Sequence, residues 1–322
     1  MNATLYFHYP CFDGLVSAVL AWVYLEQVEG WRIERFCPVK YDVRESWLST
    51  EFDTPTAVVD FLYHPQALFW ADHHLTTFIT QDEREDFERR KTRDCVLFDG
   101  RARSCAGLLW EHLRSRIPDA ARYEEMVFWA EKIDSASYTS VPEAIFGDAP
   151  ALRIGRSLGL QNEIDYSRML LTELRAGDLS RVAQLPPVSA RFDEVRRRIV
   201  AGLKRLEGQV TLLDGGVAIF DVQAREDEII SRYVPYHFFP EARYSIATVR
   251  SSDGIRITAM RNPWRDFESI PLGKVLEAFG GGGHQRVGAV VIPNEQADRV
   301  PLAVDRLLSE MRSQAPVERV TA

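Results

Sequence analysis

The chain reads as an α/β protein: a mainly parallel sheet flanked by helices, joined by a linker helix to a second, smaller α/β domain. Three observations predict this. Short apolar strands alternate with amphipathic stretches near the start, helical periodicity takes over from Ser104 to about Ala190, and strand-like runs return beyond Gly208. The length agrees, because 322 residues exceed one ordinary core and suit two domains of roughly 100–200 residues each.

Taken in order, TLYFH leads, a helix follows from about Gly14 to Glu29, and WRIERFC, TAVVDF, ALFWAD and CVLFDG read as strands. Apolar runs this short, separated by helices or loops, belong to parallel sheets covered on both faces. CAGLLWEHL, EEMVFWAEKI and YSRMLLTEL each set apolar residues three and four apart, the spacing of a helix with one buried stripe. LPPVS interrupts the pattern near Gln184–Ser189, and the charged stretch from about Ala190 to Glu207 is read as the connector. VTLLD, GVAIFDV, RYSIATVR, IRITAMR and AVVI then supply strands, with a closing helix around Gln296–Ser313. The expected boundaries are 1–190, 191–208 for the linker helix, and 209–322.

Hydrophobic residues at 46% and charged ones at 27% predict folding throughout, with no long disordered arm. A net charge of −8 argues against gripping long duplex nucleic acid by phosphate neutralisation, which needs surplus Lys and Arg on one face. Small anionic ligands and short oligonucleotides stay open. The four cysteines, Cys11, Cys37, Cys95 and Cys105, are too scattered for a zinc ribbon or a disulfide scaffold and fit a reducing cytoplasm. MNATLYFHYPCFDG has no basic segment ahead of an apolar run, and no stretch reaches the roughly 18 apolar residues of a bilayer span. Neither export nor a membrane partner is expected.

Chemistry concentrates where apolar strands end. Asp72-His73-His74 follows ALFWA, where open α/β sheets present ligand-binding groups, and two imidazoles with a carboxylate suit a divalent metal or its supporting shell. Alone, the tripeptide is equally a polar turn. His8-Tyr9-Pro10-Cys11-Phe12-Asp13-Gly14 leaves the first strand and opens the first helix; Asp13 reads either as a ligand or as a helix cap. Val58-Val59-Asp60 is a third apolar strand ending in a carboxylate, a group able to bridge two hard cations. Near the C-terminus stands Gly280-Gly281-Gly282-Gly283-His284, which by itself is a flexible turn.

In this order and spacing the four motifs resemble the DHH phosphoesterase superfamily over nearly the whole chain, with the glycine run similar to the signature of its associated C-terminal domain. That superfamily includes single-strand exonucleases, oligoribonuclease/pAp phosphatases, cyclic-dinucleotide phosphodiesterases and polyphosphatases. The resemblance implies metal-dependent hydrolysis of phosphoester bonds in short nucleotides or oligonucleotides, with two Mn²⁺ or Mg²⁺ ions. It implies His8, Asp13, Asp60, His73 and Asp134 as ligands, with Asp60 bridging; Glu131 or Asp99 are alternatives to Asp134. Cys11 stands where many members carry aspartate and is a further, softer ligand candidate. Asp72 and His74 are expected to support the ligands or move protons, with His74 as general acid.

In the second domain the resemblance implies substrate binding by Gly280–Gly283, whose bare backbone amides admit close approach, aided by His284, Arg286 and Arg261. For both arginines an exposed surface role weighs equally. The rival readings are phosphoanhydride hydrolysis, or a catalytically weak nucleotide sensor with Cys11 as the lesion.

Overall fold

The computed structural model describes residues 1–91, 95–160, 164–283 and 285–313. In chain order its elements are β1 (Asn2–His8), α1 (Phe12–Gln27), β2 (Arg32–Val39), β3 (Thr56–Val59), β4 (Phe69–Asp72), α2 (Gln81–Arg90), β5 (Val96–Phe98), α3 (Cys105–Leu113), α4 (Glu124–Asp134), α5 (Val141–Phe146), α6 (Pro150–Ser157), α7 (Ile164–Leu174), α8 (Leu179–Ala183) and α9 (Pro186–Leu206). Then come β6 (Thr211–Leu213), β7 (Val217–Gln223), α10 (Val234–Phe238), β8 (Tyr244–Ser251), β9 (Gly254–Arg261), α11 (Leu272–Glu277), β10 (Gly282–Gly283), β11 (Val287–Ile292) and α12 (Arg299–Ser313). They sort into two compact units: Met1–Tyr138 with Asp148–Val195, and Thr139–Gly147 with the chain from Arg196 onward.

The first unit holds a five-stranded sheet in the order β2-β1-β3-β4-β5, every pair parallel. All residues of β3 and β4 are buried, which explains their unbroken apolar runs. Every residue of α1 from Phe12 to Leu25 is buried, because the helix packs against β1 and also against α3, α4 and α7; a helix apolar all round belongs in an interior. The β2 edge tolerates Pro38, opposite Phe7, as only an edge strand can.

The strand order reverses between β1 and β3. From β1 the chain crosses through α1 to β2 on one side, while β3 pairs on the other, and the crevice outside the carboxyl ends at such a reversal is where open α/β sheets hold ligands. Since β1, β3 and β4 are neighbours, their C-terminal residues stand side by side at the roughly 5 Å strand spacing.

The break at LPPVS is confined to Gln184 and Leu185, between the end of α8 at Ala183 and the start of α9. Pro186 and Pro187 open α9, a position proline accepts because the first helical amides lack intrahelical partners anyway.

The second unit carries a six-stranded sheet, β10-β11-β9-β8-β7-β6, antiparallel except for the β7–β8 pair. Val217, Tyr244, Ile257, Leu272, Leu276 and Leu307 are among its core residues. Among the described residues no helix is long and apolar enough to cross a membrane.

Candidate metal centre

The loop after β1 is held tightly. A Cβ on Gly14 would lie 2.0 Å from the His8 carbonyl oxygen, so only glycine lets α1 start this close to the strand end. Asp13, in the first turn of α1, does not cap its own helix. Its carboxylate accepts from Cys105 N at 2.7 Å and Ala106 N at 2.9 Å, the first amides of α3, whose positive end favours a carboxylate.

Asp60 follows β3 with φ of 55°, a region where side chains are disfavoured and where strain concentrates at functional sites. Its Oδ2 lies 3.3 Å from His8 Nδ1. Asp72 closes β4, and its Oδ1 accepts from His73 N and from His74 Nδ1, both at 2.8 Å. His73 Nδ1 donates to Ala102 O at 3.1 Å, which fixes the tautomer and leaves the Nε2 lone pair for a ligand. Nε2 lies 3.4 Å from Asp134 Oδ2 and 3.8 Å from both Asp13 Oδ2 and Asp60 Oδ1. Asp134 is the last residue of α4, the negative end of that helix, where an anion is unfavourable without a nearby cation.

Asp60 Oδ1, Asp72 Oδ2 and His73 Nε2 are buried and lack a hydrogen-bond partner. Orphaned lone pairs of this kind are costly in an interior and point to a missing partner. Potential ligand atoms converge within 4.8 Å of one another in three sets: Asp13, His73 and Asp134; His8, Cys11 and Asp60; and Asp60, Asp72, His73 and His74. The donor chemistry and the orphaned atoms fit divalent cations, with Asp60 shared between sets.

Burial pushes the Asp60 carboxyl well above its ordinary value, and Asp13, Asp72 and Asp134 push it further. Burial likewise raises the Cys11 thiol, aided by Asp60, Asp134 and Asp13, and lowers His8 to about 4, with the His74 charge adding to it. For His74 burial acts downward but Asp72 outweighs it, lifting the imidazole to about 9. Burial also opposes ionisation of Asp72, yet His74 holds it below the usual carboxylate range.

Of the alternatives to Asp134, Asp99 binds Arg101 at 3.2 Å and Glu131 packs toward Gly107; neither joins a ligand set among the described residues. In the second unit, the donors of Arg261 are engaged within the protein. The residue is 5% exposed, and its guanidinium donates to Phe267 O at 2.7 and 2.9 Å and to Asn262 O at 3.2 Å, which ties down the loop that follows β9. Arg286 is exposed. Gly280 and Gly281 lead from α11 into β10, which Gly282 and Gly283 form; a Cβ on Gly283 would strike Val287 O at 2.4 Å, so this glycine serves close strand packing. His284 lies outside the described residues.

Several contributors carry no motif. Tyr41 sits with its ring centroid 4.9 Å from that of His8 and 6.0 Å from that of His74, and its buried hydroxyl has no hydrogen-bond partner. The α3 amides and the Ala102 carbonyl orient Asp13 and His73 from more than 25 residues away in sequence, a separation that only tertiary structure bridges.

No protein-family model and no curated protein matches the chain. Solved structures do. A pGpG-specific phosphodiesterase, PggH from Vibrio cholerae, superposes with a TM-score of 0.70 at 19% identity over 97% of this chain and 99% of that one. An exopolyphosphatase-related protein from Bacteroides fragilis gives 0.57 at 13% identity, covering 98% and 92%. RecJ from Thermus thermophilus, in complex with Mn²⁺, gives 0.54 at 14% identity, covering 97% of this chain and 52% of RecJ. The chain shares the two-domain α/β fold of these proteins.

Proposed function

We propose that the chain is a metal-dependent phosphoesterase that hydrolyses phosphoester bonds in short nucleotides or oligonucleotides, using a two-metal-type site for Mn²⁺ or Mg²⁺. The observation that carries this is the convergence of Asp13, Asp60, His73 and Asp134 with buried, unpartnered ligand atoms at the switch point of a parallel sheet. Fold likeness to a pGpG phosphodiesterase and to Mn²⁺-bound RecJ supports it. Four cysteines without a disulfide support the reading of a reducing, cytoplasmic setting.

Bound cations at such a site supply a water of lowered pKa and neutralise charge on the phosphoryl oxygens. Asp13, His73 and Asp134 would hold one, His8 and Asp60 the other, with Cys11 as an additional ligand and Asp60 bridging. The chain does the rest by orientation. The α3 amides fix Asp13, Ala102 O fixes His73, and Asp72 pins His74 Nδ1, so His74 exchanges protons at Nε2, the atom suited to deliver one to the leaving oxygen.

The test is product release in Mn²⁺ across pAp, di- to pentanucleotide RNA, a linear and a cyclic dinucleotide, and pyrophosphate. Turnover of a nucleotide ester that falls on the order of a thousand-fold in Asp60→Asn, about 4 kcal/mol of barrier, is expected. Preference for pyrophosphate moves the reading to phosphoanhydrides, and nucleotide binding without turnover moves it to a sensor.

A further inference from the structure

Beside the metal centre, Arg103 is a cation with no ion pair among the described residues. Arg103 follows Ala102, whose carbonyl holds His73, and precedes Ser104, whose Oγ caps α3 by accepting from Gly107 N at 2.8 Å. The backbone before Arg103 is therefore tied to His73, and the backbone after it to the first turn of α3. Its Nη2 donates to Ser137 Oγ at 2.9 Å and to Ser135 Oγ at 3.2 Å, on the turn that follows Asp134.

Those partners are neutral hydroxyls. Among the described residues no carboxylate lies within 4.0 Å of the Arg103 guanidinium, whereas Arg101 returns its charge to Asp99 at 3.2 Å. Ordering a long exposed side chain loses rotamer freedom, and here no ion pair offsets that loss. The turn is itself strained: Ser137 N bonds Lys132 O and Ala136 N bonds Ile133 O, the helix-ending pattern that normally places glycine at the position held by Ala136, with φ of 52°. What this construction achieves is a guanidinium of fixed position and unneutralised charge at the rim of a metal centre. Such a planar fork matches two phosphoryl oxygens.

We propose that Arg103 is a phosphate-binding residue of this centre, donating to non-bridging oxygens of the phosphoryl group held against the metal ligands, with Ser135 and Ser137 setting its position. One guanidinium matches one phosphoryl group, so the residue selects the linking or terminal phosphate of a short nucleotide. The assignment rests on the hydrolase reading above.

The test compares the full-length wild type with Arg103→Ala, Arg103→Lys and the Ser135→Ala/Ser137→Ala pair. Three quantities are measured: kcat/KM on the preferred ester, Mn²⁺ affinity, and binding of inorganic phosphate to the Mn²⁺-loaded protein. Arg103→Ala is expected to lower kcat/KM about 10- to 100-fold and the serine pair about 3- to 10-fold. Lysine restores part of the loss, because it keeps the charge but not the fork. Mn²⁺ affinity is expected to stay the same and phosphate affinity to fall with kcat/KM. Mn²⁺ affinity that falls in step with activity would overturn the proposal, since the arginine would then only brace the Asp134 turn. Unchanged kcat/KM and phosphate binding in Arg103→Ala would overturn it too. If the wild type turns over no ester, the hydrolase reading fails separately, and phosphate binding still decides: binding that needs Arg103 supports the site, and binding that is absent or indifferent to Arg103 sinks it.

Discussion

Each unit buries a polar cluster, and the two are built on opposite principles. In the second unit Arg261 serves the carbonyls of Phe267 and Asn262, and Asn262 Nδ2 donates to Ala242 O and Pro240 O while its Oδ1 accepts from Trp264 N. Tyr236 donates to Met260 O, Ile270 N donates to Tyr244 Oη, and Gln285 Nε2 donates to Ser269 O. None of these side chains is left with an unpartnered buried atom among the described residues. In the first unit four carboxylates crowd three imidazoles, one aspartate sits in a left-handed conformation, and three ligand atoms have no partner. A satisfied network specifies structure, while an unsatisfied, like-charged one is stable only with a ligand that completes it.

The comparison breaks first at Arg261. If its role is to satisfy loop carbonyls, Arg261→Ala takes both guanidinium donors from Phe267 O and one donor from Asn262 O, and strips a cation from the face of Phe267, 4.4 Å away. A loss of about 2–4 kcal/mol in urea unfolding is expected, with Mn²⁺ affinity unchanged. Intact stability with weakened nucleotide binding would instead return Arg261 to the substrate site.

The second prediction has the opposite sign. Asp60 has a carboxyl raised by burial and by neighbouring carboxylates, so ionising it opposes folding. A group whose folded pKa exceeds its unfolded value of about 3.9 favours the fold below that pH and loses the contribution as pH rises. In chelator, Asp60→Asn should therefore be more stable than wild type by about 1–2 kcal/mol at pH 7, with the gap closing toward pH 4. Asparagine is the right probe because it tolerates the left-handed backbone. Added Mn²⁺ should reverse the order, because wild type gains about 2.7 kcal/mol at a hundred times Kd and the variant loses most of that gain. A metal-free Asp60→Asn that melts below wild type at pH 7 would show that the cluster is not frustrated.

The same contrast explains what the sequence disclosed. Asp60 and Asp72 stood out as candidates because each lies at the end of a strand buried on both faces, where an apolar run stops at a polar residue. Arg261 drew the same kind of reading because the end of β9 has the same local pattern, and only the loop of residues 262–269 shows that its donors are used. Asp13 also read as a cap for its own helix, since the amides it holds are those of Cys105 and Ala106, 92 and 93 residues on. Arg103 gave no signal, because an exposed arginine acquires meaning only from what stands beside it. The break before α9 was legible, but its place was not: the prolines belong to the first turn of the next helix, and local propensity is ambiguous between a stop and a first turn.

The smallest predicted effect tests whether strain belongs to the working side of this comparison. Ala136 holds a left-handed conformation that costs a residue with Cβ roughly 1–2 kcal/mol, and glycine would relieve it while adding freedom to the unfolded chain. Ala136→Gly is thus expected to stabilise the protein by about 0.5–1 kcal/mol. If the strained turn holds Ser135 and Ser137 against Arg103, the same substitution loosens the guanidinium and lowers kcat/KM by a few-fold, as loss of one neutral hydrogen bond would. Stability and activity would then move in opposite directions at a residue that touches neither metal ligand nor substrate. Gain in both would mean that the turn's strain is incidental and that the hydroxyls reach Arg103 without it.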